Sequence, residues 1–317
     1  MPVRKLLAYA AIYILWGGTF LAIREVVRAA GVPPFFAAGC RFFLAGLILF
    51  VWARLTGAIQ ITPRQVRSAV LLGLVMFTGD YAALFWAETR VASGLAAVVF
   101  AMIPVWIFAG EVFVVRTRRA TAVSASGLVL GFAGVVLLAV RSPGPAHSSV
   151  LAMLVMLAGT LCWSVGTLWS RHLPMPRPQQ ASAGLQMLTG GFFLLLLAAS
   201  VGEFRRLPAT AVLFSPRVVF SLAYLVVAGS MISYSAYVWL ISHDSPTRVA
   251  SYAYVNPVIA VLLGAAFAGE RLNPYEIAGA ALVLFGVFAT LVGRGAAQTA
   301  LSSREKSAVN ERRLPTR

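Results

Sequence analysis

The chain has 317 residues, 60% of them hydrophobic and only 11% charged, with a formal net charge of +16. A soluble globular protein carries about 25% charged residues, and one core cannot hide this much apolar surface from water, whereas a bilayer can. The basic residues are scattered between apolar runs, so they speak of orientation in a lipid bilayer and not of a nucleic-acid partner.

The first run, Leu6–Ile23, follows Arg4 and Lys5. It is longer than the roughly 7–15 apolar residues of a signal peptide, and no small-x-small cleavage site follows, so it reads as an uncleaved first helix. Tyr13, Trp16 and Phe20 share one face of it at i, i+3 and i+7. The second run, Pro34–Ala53, carries Arg41, and the third, Ser68–Ala87, carries Asp80. Each lies about seven residues, or roughly 10 Å, from the same side of the membrane. Two readings follow for these costly intramembrane charges. Either Arg41 receives a substrate carboxylate while Asp80 carries a coupling proton, or the two form a permanent ion pair that locks neighbouring helices. Glu88, near Arg90, and Glu111, above the basic segment Arg116–Arg119, are expected at the interface, and Glu270 at a helix end.

The fourth run, Ala92–Val115, contains Pro104, and the fifth, Thr121–Val140, contains Gly127, Gly131 and Gly134. Five more follow: Val150–Ser170 with Trp163, Ala181–Val201 with Gln186, Val218–Ile241 with Ser230, Tyr234 and Tyr237, Val249–Ala268 with Tyr252, Asn256 and Pro257, and Tyr275–Val292 with Gly279 and Gly286. Each approaches the roughly 20 residues that cross the hydrocarbon as a helix. The expectation is an all-α integral membrane protein of ten transmembrane helices with short loops, followed by a basic, disordered cytoplasmic tail over 294–317. Alternating the ten spans places 17 Lys and Arg on the side of the N-terminus and eight on the other, with Arg41 inside a span. Both termini are therefore expected in the cytoplasm. The glycines of the fifth and tenth runs predict close packing of those two helices.

The two halves repeat. "LWGGTFLAIR" (Leu15–Arg24) aligns with "CWSVGTLWSR" (Cys162–Arg171), pairing Trp16 with Trp163; "GCRFFLAG" (Gly39–Gly46) aligns with "GLQMLTGG" (Gly184–Gly191), pairing Arg41 with Gln186. Trp86 pairs with Trp239 and Pro104 with Pro257 in one ungapped stretch. Five helices per repeat is odd, so the halves, 6–140 and 149–293, sit with opposite orientation, the inverted-repeat plan of secondary transporters. Pro104 and Pro257 each deprive the carbonyl four residues upstream, of Phe100 and Ala253, of its helical donor. Lipid cannot satisfy such a group. The matched prolines, the two carbonyls and the Asn256 side chain therefore point at a central binding site. The polar-tipped Tyr234, Tyr237 and Tyr252, with Trp16 and Trp163, are expected to wall it. The alternative is that the prolines are packing kinks and the aromatics are packing.

The stretches "LWGGTFLAIR", "RFFLAGLIL", "ASGLAAVVFAMIP", "GLVLGFAGVVLL" and above all "SYAYVNPVIAVLLG", with Glu270 thirteen residues after Pro257, resemble the EamA-type permeases of the drug/metabolite transporter superfamily. The resemblance covers about residues 6–293. One position departs from it: thirteen residues after Pro104 stands Thr117, not an acidic residue. The resemblance implies a bacterial inner-membrane protein of two EamA repeats that exports small metabolites or amino acids through a cavity between the repeats. Proton-coupled and facilitative transport remain open, as do monomer and homodimer. Catalysis finds no support. His147, His172 and His243 show no metal-ligand spacing, Cys40 and Cys162 lie in apolar runs, and no phosphate-binding Gly-rich loop is present. No metal or cofactor is expected; an integral-membrane lipid-processing enzyme is the alternative class.

Overall fold

The computed structural model describes residues 3–57, 61–116, 121–141, 146–170, 172–244, 249, 251–290 and 292; the basic tail lies outside these. In chain order the helices are α1 (Val3–Ala29), α2 (Pro34–Thr56), α3 (Pro63–Glu88) and α4 (Ser93–Val114), then α5 (Ala122–Arg141), α6 (Ala146–Ser170) and α7 (Gln179–Ser200). They continue as α8 (Pro216–Leu240), α9 (Tyr252–Ala268) and α10 (Pro274–Thr290). Among the described residues no strand occurs, and seven helices are long and apolar enough to cross a membrane; α5, α9 and α10 contribute shorter apolar stretches.

Local chemistry sets the helix starts. At α3, Thr62 Oγ1 accepts from Gln65 N–H while Gln65 Oε1 accepts from Thr62 N–H, with Pro63 in the first helical position. At α10, Asn273 Oδ1 accepts from the Tyr275 and Glu276 N–H groups. Two further starts are capped from distant sequence. Glu203 accepts from Phe35 and Phe36 N–H at the head of α2, and Glu270 accepts from Ser93 and Gly94 N–H at the head of α4. A carboxylate there satisfies orphan donors and meets the positive end of the helix dipole. Gly269 makes the second cap possible. Its φ of 63°, which glycine adopts without steric cost, ends α9 and turns the chain back toward α4.

Several helices carry widened π turns: Ala11–Leu15 and Glu25–Ala29 in α1, Gly73–Asp80 in α3, Gly110–Val114 in α4 and Leu225–Ile232 in α8. Those of α3 and α8 fall within one residue of each other in the alignment anchored at Trp86 and Trp239. A π turn displaces backbone hydrogen bonds and leaves carbonyls for outside donors. Side chains from the opposite half supply several of those donors.

The helices pair across the halves. α2 packs along α7, α4 along α9, α1 against α8 and α9, and α6 against α3 and α4. The α2–α7 contact is close enough that a Cβ on Gly46 would collide with the backbone of Leu188 and Gly184. The glycine seam between α5 and α10 is equally tight, since a Cβ on Gly286 would meet the backbone of Gly127 and Gly131. The outward faces are apolar, with Leu44, Leu47, Ile48 and Val51 of α2 and Leu151 and Leu154 of α6 exposed, while Arg41, Asp80 and Glu88 are buried. Water would penalise that distribution and lipid favours it.

Three expectations need correction. Glu88 and Glu111 are not interfacial; both are buried, because each lies on the face of its helix that packs against neighbouring helices, while Phe113 and Val114 on the other face of α4 are exposed. The two prolines do not interrupt their helices alike. α4 breaks at Ala101–Met102, just before Pro104, whereas α9 runs unbroken through Pro257. Glu270 is more than a helix end, since it caps α4 and pairs with Arg24 at 2.9 Å.

Candidate functional site

A vestibule of about 630 Å³ opens at the end of the bundle that carries the start of α3 and the segment Leu173–Arg177. Its walls come from α3, α6, α7 and α8, and its deeper lining includes Met76, Gln186, Tyr234 and Tyr237. Gln186 is buried and donates to Ser182 Oγ and to the Ser182 carbonyl. The two tyrosines belong to a cluster of rings. Tyr234 stacks on Tyr237 at 6.1 Å and meets Phe77 and Trp163 edge-on, while Tyr237 contacts Trp16 at 5.3 Å and Tyr252 at 6.1 Å. Tilted and edge-on ring pairs of this kind add about 0.5–1.5 kcal/mol each beyond simple burial. The cluster closes the floor of the vestibule.

Behind this aromatic floor lies a second, small cavity of about 40 Å³. Trp16, Asp80, Phe100, Trp163, Tyr252 and Asn256, from five different helices, all line it together with Thr19, Phe20, Tyr81, Leu84 and Ile103. The volume holds a few water molecules or a small polar group. Asp80 is 0% exposed and neither carboxylate oxygen has a hydrogen-bond partner; Trp163 Nε1 is also buried and unpartnered. An ionised carboxylate buried without a partner costs several kcal/mol, so Asp80 calls for a proton, a cation or an ammonium group.

Arg41 does not pair with Asp80. Its Nε donates to Ser230 Oγ at 3.0 Å, its guanidinium lies over the Phe42 and Tyr81 rings at 4.6 and 5.1 Å, and Nη1 has no partner. The ion-pair reading fails because Asp80 faces the small cavity while Arg41 is drawn to the π turn of α8. Ser230 Oγ, in turn, donates to the Leu225 carbonyl within that turn. Trp16 Nε1 reaches the same turn, donating to the Gly229 carbonyl at 2.8 Å.

Asn256 is anchored as well. Oriented so that its amide nitrogen faces acceptors, it donates to the Ile12 and Tyr13 carbonyls at 3.0 and 3.1 Å, in the first π turn of α1. Ala253 and Pro104 are buried in helix contacts, whereas Pro257 lies on the far side of α9, facing an apolar groove between α4, α9 and α10. The twelve residues singled out in the sequence are thus sorted. Six line the small cavity, Tyr234 and Tyr237 form its boundary with the vestibule, and Arg41, Pro104, Ala253 and Pro257 line neither space.

The end of the bundle opposite the vestibule is closed by charge. Arg24 Nε pairs with Glu270 at 2.9 Å and Arg24 Nη1 with Glu25 at 2.7 Å, while Arg217 reaches Glu25 at 3.3 Å. Glu270 also accepts from Ser93 Oγ at 2.8 Å. Glu88, 0% exposed with both oxygens unpartnered, lies within electrostatic reach of Glu270, Arg41 and Arg24. Sequence reading missed the lock and Tyr81. Glu270 looked like a solvated helix end because the residue it caps is 177 positions away.

Helices too apolar for water, an open vestibule and a buried polar centre define a multi-pass membrane transporter. More narrowly, the chain belongs to the EamA-like transporter family, which it matches over residues 4–140 and 150–292. It is 33% identical over 290 residues to the inner membrane transporter YedA of Escherichia coli (strain K12), covering 90% of each chain. It is 25% identical over 295 residues to a Salmonella typhimurium (strain LT2) protein named "Probable amino-acid metabolite efflux pump", covering 91% of this chain and 95% of that one. A crystal structure with 21% identity superposes with a TM-score of 0.62 over 92% of this chain and 98% of that one, a likeness of fold.

Proposed function

We propose that the protein exports small zwitterionic or amphipathic metabolites, such as amino acids, from the cytoplasm across the bacterial inner membrane. In this reading ten spans form two inverted five-helix repeats, 6–140 and 149–293, with both termini cytoplasmic, so the vestibule faces the cytoplasm. The observation that carries it is the unpartnered Asp80 carboxylate behind the aromatic floor of that vestibule. A substrate ammonium answers Asp80, and the rings of Trp16, Trp163, Tyr234, Tyr237 and Tyr252 supply flat walls. Such walls favour an apolar side chain by about 1–3 kcal/mol, which gives broad rather than strict selectivity. Displacement of the aromatic floor admits the substrate, and opening of the Arg24–Glu270 lock releases it. The name of the Salmonella relative supports this substrate class.

The test is an export screen of amino acids and amines in cells overproducing the protein, repeated with purified protein in proteoliposomes. Accelerated efflux of several apolar or aromatic amino acids is the expected result. Transport confined to a polyanion such as a nucleotide sugar would overturn the assignment, since that cargo needs more positive charge than this centre holds.

A further inference from the structure

The geometry points to Arg41 as a carboxylate-binding residue of a second vestibule, on the opposite face, that forms when the two repeats exchange conformations. This rests on the transporter reading above and extends it to a state not seen here. In an inverted-repeat protein each half adopts, in the other state, the arrangement its partner half holds now. The residues lining the present vestibule therefore identify their counterparts as the lining of the next one.

The alignment supplies those counterparts. Gln186 of the vestibule corresponds to Arg41, Tyr234 to Tyr81, Ser170 to Ile23, Val238 to Phe85 and Gln65 to Val218. Four of these five counterparts are now shut away, and the fifth, Tyr81, is half-buried. Arg41 is 1% exposed, and Ile23, Phe85 and Val218 are 0% exposed. Tyr81 already lies beside Arg41, at 5.1 Å from its guanidinium, much as Tyr234 lines the same space as Gln186. The repeat partner of an uncharged amide is thus a cation held under a closed face.

Unmet hydrogen bonds point the same way. Arg41 Nη1 and Trp163 Nε1 are buried without partners, whereas their counterparts Gln186 and Trp16 are both bonded. Trp16 donates to Gly229, in the π turn of α8. The position matching Gly229 in the first repeat is Met76, in the π turn of α3, and Trp163 already crosses α3 near it, with its ring 5.8 Å from Phe77. Exchange of the halves gives Trp163 the Met76 carbonyl and opens Arg41 to water. There Nη1 is a free donor for a carboxylate, a group Gln186 binds less strongly because it has no charge. The present state holds both groups unsatisfied, which fits an element with two arrangements.

The experiment uses the full chain in nanodiscs, where reagents reach both faces, with Cys40 and Cys162 replaced by Ala. Single cysteines are placed at Ser170→Cys in the vestibule and, in its counterpart, at Ile23→Cys and at Ala38→Cys, the buried repeat partner of the vestibule-lining Ala183, then exposed to a water-soluble maleimide. Ser170→Cys should label quickly and the other two slowly. Adding Glu270→Gln, which removes the charge from the lock, should speed labelling of Ile23→Cys and Ala38→Cys at least ten-fold and slow that of Ser170→Cys. In that background phenylalanine should protect Ala38→Cys, phenylalanine amide should not, and Arg41→Gln should abolish the protection. Slow labelling of Ile23→Cys and Ala38→Cys in every background, in a protein that still transports, would overturn the exchange and leave the transporter reading standing. Equal protection by acid and amide, or protection that survives Arg41→Gln, would overturn the role of Arg41. Absence of transport of any solute by the unaltered chain would instead sink the functional reading beneath it.

Discussion

Replacing Asn256 by Leu separates a structural clip from a substrate ligand. The side chain is 8% exposed, and its amide bridges the Ile12 and Tyr13 carbonyls across the α9–α1 contact. Leucine keeps the same branched outline, though it is bulkier, and donates nothing, so two hydrogen bonds vanish at once. Each is worth about 1 kcal/mol net, and a carbonyl stranded away from water adds up to about 2 kcal/mol more. The π turn worsens the loss, since it leaves those carbonyls less well served by their own helix. A total near 3 kcal/mol follows, which for a chain of this size lowers Tm by roughly 5 °C. Asn256→Asp should cost more, because a carboxylate facing two carbonyls offers acceptors where donors are needed. The assay is thermal unfolding of purified protein, read by intrinsic fluorescence, alongside ligand titration well below Tm. Reduced Tm with an unchanged Kd is the expected pattern. An unchanged Tm with lost binding would refute the reasoning and return Asn256 to the substrate.

The two repeat-related tryptophans should respond differently to the same change. Trp16→Phe strands the Gly229 carbonyl and should cost about 1–3 kcal/mol of stability, whereas Trp163→Phe removes an N–H that has no partner and should be close to neutral; equal losses in thermal unfolding would contradict this. Glu203 gives a pH signature. Burial pushes its carboxyl above its ordinary value of 4.5, against the pull of the Phe36 and Phe35 N–H groups. The folded chain therefore holds that proton more tightly than the unfolded one, so stability falls as pH rises from about 4.5 through the folded value and then levels. Glu203→Gln should flatten that part of the Tm–pH curve, and an unaltered slope would show that another group sets it.

Much of the fold was legible because lipid imposes a coarse rule: apolar runs of helix length, with charges kept between them. The α5–α10 seam was legible too, since glycines at seven-residue spacing admit a backbone contact that any side chain would block. The site was legible in part. Trp16, Asp80, Trp163 and Tyr252 stood out as polar or polar-tipped groups in apolar runs, and they do meet around one cavity. What failed was pairing. Equal depth suggested Arg41 with Asp80, but depth leaves rotation about the helix axis open, and the π turns of α3 and α8 rotate the residues beyond them by an amount that sequence periodicity does not reveal. The π turns of α8 and α1 supply the carbonyls that Trp16 and Asn256 bind, so both residues looked freer in sequence than they are. Glu88 and Glu111 were misplaced for a related reason. A carboxylate at a helix end reads as solvated until the distant chain packed over it is known.

The most direct measurement is efflux of apolar and aromatic amino acids from proteoliposomes containing the unaltered protein or Asp80→Asn. Asparagine is nearly isosteric and uncharged, so it removes the unpartnered carboxylate without opening a void, and folding should hold or improve. The account predicts that Asp80→Asn inserts and melts like the unaltered chain, or at a higher temperature, while efflux falls at least ten-fold for every substrate. Efflux by Asp80→Asn at the unaltered rate would contradict it and remove Asp80, with the cavity it faces, from the transport path.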